Sequence, residues 1–183
     1  MVDVETVVVM KAGPHGGEAW KPILRRKMEE ERSPARAVWW GYGGTMLDPA
    51  RQVIPLCKAQ RVEVAMFETR SDPGTSAAAV ASRYSIDQLR WHPLPMGVRV
   101  TGSTRALVLR DFRVLRETID LSQYQIAIGP SAGRPADAHF FEGSRRRRTD
   151  KACLRRHERD APPRIERVTV RAVLVEPFAV YLQ

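Results

Sequence analysis

Cysteine and lysine are scarce in this chain of 183 residues, and long apolar runs are missing. The two cysteines, Cys57 and Cys153, show no Cys-x-x-Cys or Cys/His ligand spacing. That excludes a zinc module and a disulfide scaffold and predicts two reduced thiols. No apolar stretch approaches the roughly 18–20 residues of a membrane span. The opening MVDVETVVVM carries Asp3 and Glu5 where a secretory signal carries Lys or Arg. A soluble, cytoplasmic protein without membrane association is therefore expected. Nucleotide fingerprints of the Gly-x-x-x-x-Gly-Lys-Ser/Thr and Gly-x-Gly-x-x-Gly types are absent, as are a Gly-x-Ser-x-Gly elbow, a His-Glu-x-x-His pair and a Ca²⁺ loop. No cofactor and no metal is called for. A (β/α)₈ barrel, at about 250 residues, is too long for the chain, and a single domain over residues 1–183 is expected.

What is present is positive charge. Lys and Arg number 30 against 21 Asp and Glu, a net charge of +9 and a pI near 10.2. Only five of these cations are lysines, so arginine dominates. A guanidinium presents a planar fork of donors that matches phosphate oxygens or a guanine edge, and it stacks on bases. GC-rich coding also produces arginine, but it does not place Arg145, Arg146, Arg147 and Arg148 in a row. Basic residues concentrate late in the chain, where residues 134–171 hold 12 cations and 6 carboxylates.

The chain opens with a strand-like run through Val7 to Met10, followed by the loop 12–17. A helix is predicted from about Trp20 to Arg32: Trp20, Ile23, Leu24 and Met28 share a face, Pro22 suits a first turn, and Ser33-Pro34 ends the element. Its charges run against the macrodipole, with Arg25–Glu29, Arg26–Glu30 and Lys27–Glu31 as compensating pairs. Strands are expected at Ala37 to Trp40, Gln52 to Leu56 and Val62 to Met66. Helices are expected over 75–83 and, through the capping-box form of Ser85-Ile-Asp-Gln88, up to His92-Pro93. Later strands are Val98 with Val100, Ala106 to Leu109, Tyr124 to Ile128, Val168 to Val175 and Phe178 to Leu182, with Phe112 to Ile119 a short helix or an irregular link. About eight short strands and three or four short helices without βαβ alternation indicate an α+β fold. Its core is a strongly bent antiparallel or mixed sheet, or a small β-barrel. Residues 129–164 lack an apolar period and read as a basic loop or helix insertion.

Three groups of residues are candidates for function. In the insertion, Thr149 can cap a helix over 150–159 that places Lys151, Arg155 and Arg159 on one face, with Arg156 beside them. Led by Arg145 to Arg148, such a stripe can follow a phosphate backbone; a solvated charge run without a ligand is the alternative. Trp39 and Trp40 point to opposite faces of a strand, so Trp40, with Tyr42 beyond it, is a candidate base-stacking platform unless both faces are covered. Two glycine-rich loops, Gly41-Tyr42-Gly43-Gly44-Thr45 and Gly129 to Arg134, offer backbone amides that can cup a phosphate, completed by Thr45 or Arg134, although turns alone account for such loops. Of the histidines, His139 sits in an apolar setting, and only His15 lies on a glycine-rich loop, with Asp48 or Glu18 as possible partners.

The order of short strands, an early Trp-bearing strand and a basic insertion are loosely similar to small RNA-binding barrels of the PUA-like kind, a likeness confined to architecture. The leading expectation is a nucleic-acid-binding protein, RNA or DNA, or a binder of another polyanion, working through the arginine-rich insertion. The alternatives are an enzyme acting on a nucleotide or nucleotide-derived substrate held by the glycine loops, and an adaptor whose basic face docks an acidic protein.

Overall fold

A computed structural model describes residues 1–69, 78–141 and 150–183, the side chains of 139–141 excepted. Among these residues nine strands form one mixed sheet, accompanied by three α-helices. The chain runs β1 (Thr6–Ala12), α1 (Trp20–Arg32), β2 (Val38–Tyr42), a π-helical turn (Pro49–Val53) continuing into α2 (Ile54–Ala59), and β3 (Glu63–Glu68). It continues with the short β4 (Arg83–Ser85) and β5 (His92–Pro93), β6 (Arg105–Asp120), β7 (Tyr124–Ile126), α3 (Ala136–Phe141), β8 (Lys151–Arg156) and β9 (Ile165–Leu182). Strand order is β2-β6-β9-β3-β1-β8-β7, with β4 joining β9 and β5 joining β4. Among the described strands only β1 and β3 pair in parallel.

The α+β class and the mixed sheet agree with the sequence. A closed barrel does not form, because β2 and β7 end the order without pairing with each other. The sheet is instead organised by one long antiparallel strand pair whose members are separated in sequence by β7, α3 and β8. β6 and β9, of 16 and 18 residues, pair from Arg105↔Tyr181 to Asp120↔Ile165 with three register shifts, each of which bends and twists the ribbon.

The inner faces alternate as a buried sheet requires. Val8, Met10, Val64 and Met66 pack with α1, α2 and β2 in one cluster. Their neighbours Val7, Val9, Ala65 and Phe67 pack on the opposite face with Ile119, Leu121, Tyr124 and Leu154. A third cluster lies around Trp39, Val108 and Val180.

The helix at Trp20 forms as predicted and buries Trp20, Ile23 and Leu24, while Ser33 closes it by bonding to the Glu30 carbonyl through both amide and hydroxyl. None of the three i,i+4 pairs forms among the described residues. Arg26 pairs with Glu18 and Lys27 with Glu30.

Several other elements differ from expectation. Gln52 to Leu56 is helical, started by Asp48, whose carboxylate accepts from the Arg51 amide. Residues 78–83 contain no helix, the rest of the 75–83 segment lying outside the described residues. Ser85 makes its cap-like bonds to the amides of Asp87 and Gln88, but Gln88 then takes φ 65° and no helix follows. Val98 and Val100 are not in a strand, and Phe112 to Ile119 belongs to β6. The two final runs fuse across Glu176-Pro177 into β9. The helix expected over 150–159 is β8 for most of its length, since Ala152, Cys153 and Leu154 are buried on both faces of a sheet. No helix among the described residues is long and apolar enough to cross a membrane.

Candidate functional site

A cleft of about 290 Å³ opens where the ends of β1 and β2 meet the start of β8. β1 contributes Met10, Lys11 and Ala12, and the loop after it contributes His15 and Glu18. α1 lays Ile23, Arg26 and Lys27 along one wall, β2 ends there in Trp40, Gly41 and Tyr42, and the segment 99–103 crosses as a strap. Asp150 and Lys151 close the remaining side. The lining of the cleft is rich in positive charge: Lys11, Arg26, Lys27, Arg99 and Lys151 against Glu18 and Asp150.

The walls are tied together by α1. Arg26 donates to both oxygens of Glu18, at 3.3 and 2.7 Å, and to the Arg99 carbonyl at 3.2 Å. This guanidinium holds the Glu18 carboxyl below its ordinary range. Lys27, 4% exposed, donates to both oxygens of Glu30 and to the carbonyls of Trp39 and Arg99. Glu30 in turn accepts from the amides of Trp39, at 2.6 Å, and Arg99, at 3.4 Å. The pair thus saturates both backbone groups of an edge residue of β2 and both of a strap residue. Burial lowers the Lys27 ammonium pKa against the opposing pull of Glu30.

Close packing of the strap requires glycine at two places. A Cβ on Gly41 would lie 2.4 Å from Ser103 Oγ and 2.5 Å from Val100 Cγ1. Gly102, at φ +62°, supports the His15 ring, whose Nε2 would be 2.7 Å from a Cβ there. On the other side, the loop after β2 is pinned from behind. Arg105 donates to the Gly44 carbonyl, faces Asp48 at 3.7 Å and lies over the Tyr181 ring, and the Tyr42 hydroxyl donates to the Leu47 carbonyl at 2.5 Å. Burial raises the Tyr42 hydroxyl far above its ordinary value. No acceptor among the described residues meets the amides of Gly43, Gly44 or Thr45. A Cβ at Gly43 would meet nothing within 4 Å, and one at Gly44, where φ is +80°, would approach the Lys151 ammonium to 4.0 Å.

The cleft gathers some of the sequence-predicted residues and not others. Lys151, Trp40, Gly41, Tyr42 and Gly43 line it, Gly44 stands beside Lys151, and Thr45 is not among the lining residues. Arg145, Arg146, Arg147, Arg148 and Thr149 lie outside the described residues. The expected helical stripe of Lys151, Arg155 and Arg159 does not form: Lys151 and Arg155 lie on β8, where Lys151 is buried and Arg155 exposed, and Arg159 falls beyond the strand. Lys151 is buried and paired with Asp150 at 2.7 Å. Arg156 pairs with Asp3 and Glu158, and Arg159 pairs with Asp137 while donating to the Ser122 carbonyl at 2.8 Å. Arg134 is exposed on the turn 129–134, whose amides bond internally: Ala132 to the Gly129 carbonyl and Arg134 to the Ser131 carbonyl.

Neither tryptophan is open to stack on a base. Trp40 is enclosed between Trp20, edge-on at 6.0 Å, and Phe112, stacked at 5.9 Å, while Trp39 meets the Tyr84 ring at 4.9 Å. Of His15's suggested partners, Glu18 joins it only through backbone bonds, and Asp48 is taken by Tyr181 at 2.8 Å and by the helical turn it starts. The His139 side chain lies outside the described residues.

Arg26, Lys27 and Arg99 escaped sequence reading. One signal was present: Lys27 stands four residues after Ile23 and three after Leu24, on the apolar face where a cation needs a buried partner. No protein-family model matches the chain, and neither a curated protein nor a solved structure matches it significantly.

Proposed function

We propose that the cleft binds a small phosphate-bearing molecule of the nucleotide or nucleotide-derived class. The observation that carries this reading is the excess of cations over carboxylates lining one recess, five against two with Arg26, Lys27 and Lys151 already engaged by Glu18, Glu30 and Asp150, beside glycine-loop amides that meet no acceptor among the described residues. Loop amides and a neighbouring ammonium are the usual means of holding phosphate oxygens. The volume, at the small end of ligand pockets, suits one nucleotide-sized unit, and Met10, Ile23 and Trp40 back the cleft from the core without exposing a ring to stack on. His15, Thr101 and Ser103 at the mouth offer donors and acceptors to the ligand's polar edge. Any chemistry on the ligand falls to His15, the imidazole of the cleft.

The test is thermal. A mononucleotide at about 100 times its dissociation constant adds about 2.7 kcal/mol, which raises Tm by roughly 5–10 °C for a domain of this size. Lys151→Ala and Arg99→Ala should each reduce that shift. No shift with mononucleotides or inorganic phosphate at millimolar levels removes the reading.

A second reading, nucleic-acid binding through the arginine-rich insertion, is favoured by one connection: Asp150, which lines the cleft, follows Arg145 to Arg148 with only Thr149 between. A phosphate backbone held by that segment would then meet the cleft with one nucleotide. Alanine at Arg145 to Arg148 should flatten the salt dependence of oligonucleotide binding, and an unchanged slope excludes the segment.

A further inference from the structure

Positive charge in the cleft is offered at two ends rather than at one point. Arg99 stands at the first. Three side chains of α1 hold its backbone: Arg26 and Lys27 donate to its carbonyl at 3.2 and 2.9 Å, and Glu30 accepts from its amide at 3.4 Å. Its guanidinium is exposed, lines the cleft and meets no carboxylate among the described residues. Glu18, the lining acid on that side, is taken by Arg26 through both oxygens. An arginine with a fixed main chain and an unused fork of donors is already arranged to receive an anion.

Lys151 stands at the second end, 8% exposed and beside Gly44. Among the described residues it donates only to Asp150, a neighbour in sequence whose side chain is 66% exposed, so donors of the ammonium remain for a ligand. Gly43, next in the same loop, lines the cleft there.

The two ends are separated along β2. One ammonium, that of Lys27, bonds the carbonyls of both Trp39 and Arg99, so Arg99 is anchored beside Trp39. From Trp39 to Tyr42 the strand covers about 10 Å at strand rise, and Gly44 follows two residues later. Gly41, between these positions, meets the neutral Ser103 and Val100. A phosphate held at Lys151 therefore leaves Arg99 without a partner. The pattern fits a molecule with an anionic group at each end and an uncharged middle.

We propose, on the premise that the cleft takes a phosphate-bearing nucleotide, that its ligand carries two separated phosphates, one on Lys151 and the loop after β2 and the other on Arg99, as in a nucleoside 3′,5′-bisphosphate. The strap closes the Arg99 end and Asp150 with Lys151 closes the other, which suits a discrete molecule and not a strand passing through.

The test is calorimetric titration of the full chain with the 5′-monophosphate, the 5′-diphosphate and the 3′,5′-bisphosphate of adenosine. The bisphosphate should bind about tenfold more tightly than either of the others, the factor of one charge-assisted hydrogen bond. Arg99→Ala should remove that margin, and Lys151→Ala should weaken all three ligands while keeping it. The Arg99 side chain is exposed and its backbone bonds survive the change, so the free variant should keep its melting temperature. Equal affinity for the bisphosphate and the 5′-monophosphate overturns the inference and leaves the mononucleotide reading in place. The same follows if the 5′-diphosphate matches the bisphosphate, because the charges then gather at one end, or if the margin survives Arg99→Ala. An adenosine trinucleotide that binds more tightly than the bisphosphate also overturns it, in favour of a strand. If none of the three nucleotides binds at millimolar concentration, the mononucleotide reading itself falls and this inference with it.

Discussion

Lys27 and Glu30, one turn apart on α1 and both almost fully buried, act together as a piece of surrogate strand. The carboxylate accepts from the amides of Trp39 and Arg99, and the ammonium donates to the carbonyls of the same two residues. The edge of β2 is thereby closed, and the strap over the cleft is attached to the helix. An exposed sheet edge is a pairing hazard, and here it is satisfied by side chains rather than by another strand.

Lys27→Met should destabilise the protein by about 3–5 kcal/mol, because it leaves Glu30 charged and buried. An isolated buried pair is often restored by replacing both members with apolar residues. Lys27→Met/Glu30→Leu should not recover here, since the double change leaves two amides and two carbonyls without partners. Urea denaturation of the single and double variants decides it; recovery of most of the lost stability by the double variant would show that the backbone bonds contribute little.

Gly41→Ala should cost about 1–3 kcal/mol by overpacking. Its added methyl would meet Ser103 and Val100 on the strap, so the same change should weaken ligand binding in the cleft without altering any charge. Calorimetric titration beside a thermal melt separates the two effects.

Acid should loosen the cleft wall. The Glu18 carboxyl is held low first by its bond from Arg26 and then by nearby cations, and Asp120 is held low by its bonds from Ser122 and Arg164 despite the opposing effect of burial. A folded pKa below the unfolded one contributes stability that is full above the unfolded value, near 4, and is lost as pH falls through the folded value. Unfolding free energy should therefore drop between pH 5 and 3, and Glu18→Gln should make that drop shallower. An identical pH profile for the variant would assign the acid sensitivity to other carboxyls.

Both thiols should be inert in the folded protein. Burial pushes Cys57 and Cys153 up to about 12, so neither forms appreciable thiolate at pH 8. A thiol-reactive chromophore should react with neither before urea unfolds the chain and with both afterwards. A fast-reacting equivalent in native buffer would contradict the burial of one of them.

Much of the framework was legible because its signals are local. Trp20, Ile23 and Leu24 at helical spacing marked α1, and the run Val7 to Met10 and the alternation Val62, Val64, Met66 marked β1 and β3. Misreadings cluster where tertiary context overrides pattern. Ala152-Cys153-Leu154 is apolar on both faces of a central strand and carries no period, so the spacing of its arginines suggested a helix that does not exist. Gln52 to Leu56 is rich in branched residues, yet Asp48 and Pro49 start a helical turn that packs Val53 inward. Phe112 to Ile119 keeps no clean alternation because bulges shift the register of β6. For the candidate site, composition identified Lys151, Tyr42 and the glycines after β2. Arg26, Lys27 and Arg99 belong to elements distant in sequence, and their convergence is a property of topology.

β9 pairs with β3, β4 and β6 and so touches both wings of the molecule. Among the described strands it comes last in chain order, and until it is made β6 lacks its partner along most of its length. Productive closure is thus a late, long-range event: nascent chains expose an unpaired arginine-bearing strand throughout synthesis, and the finished sheet should unzip as one cooperative unit rather than wing by wing.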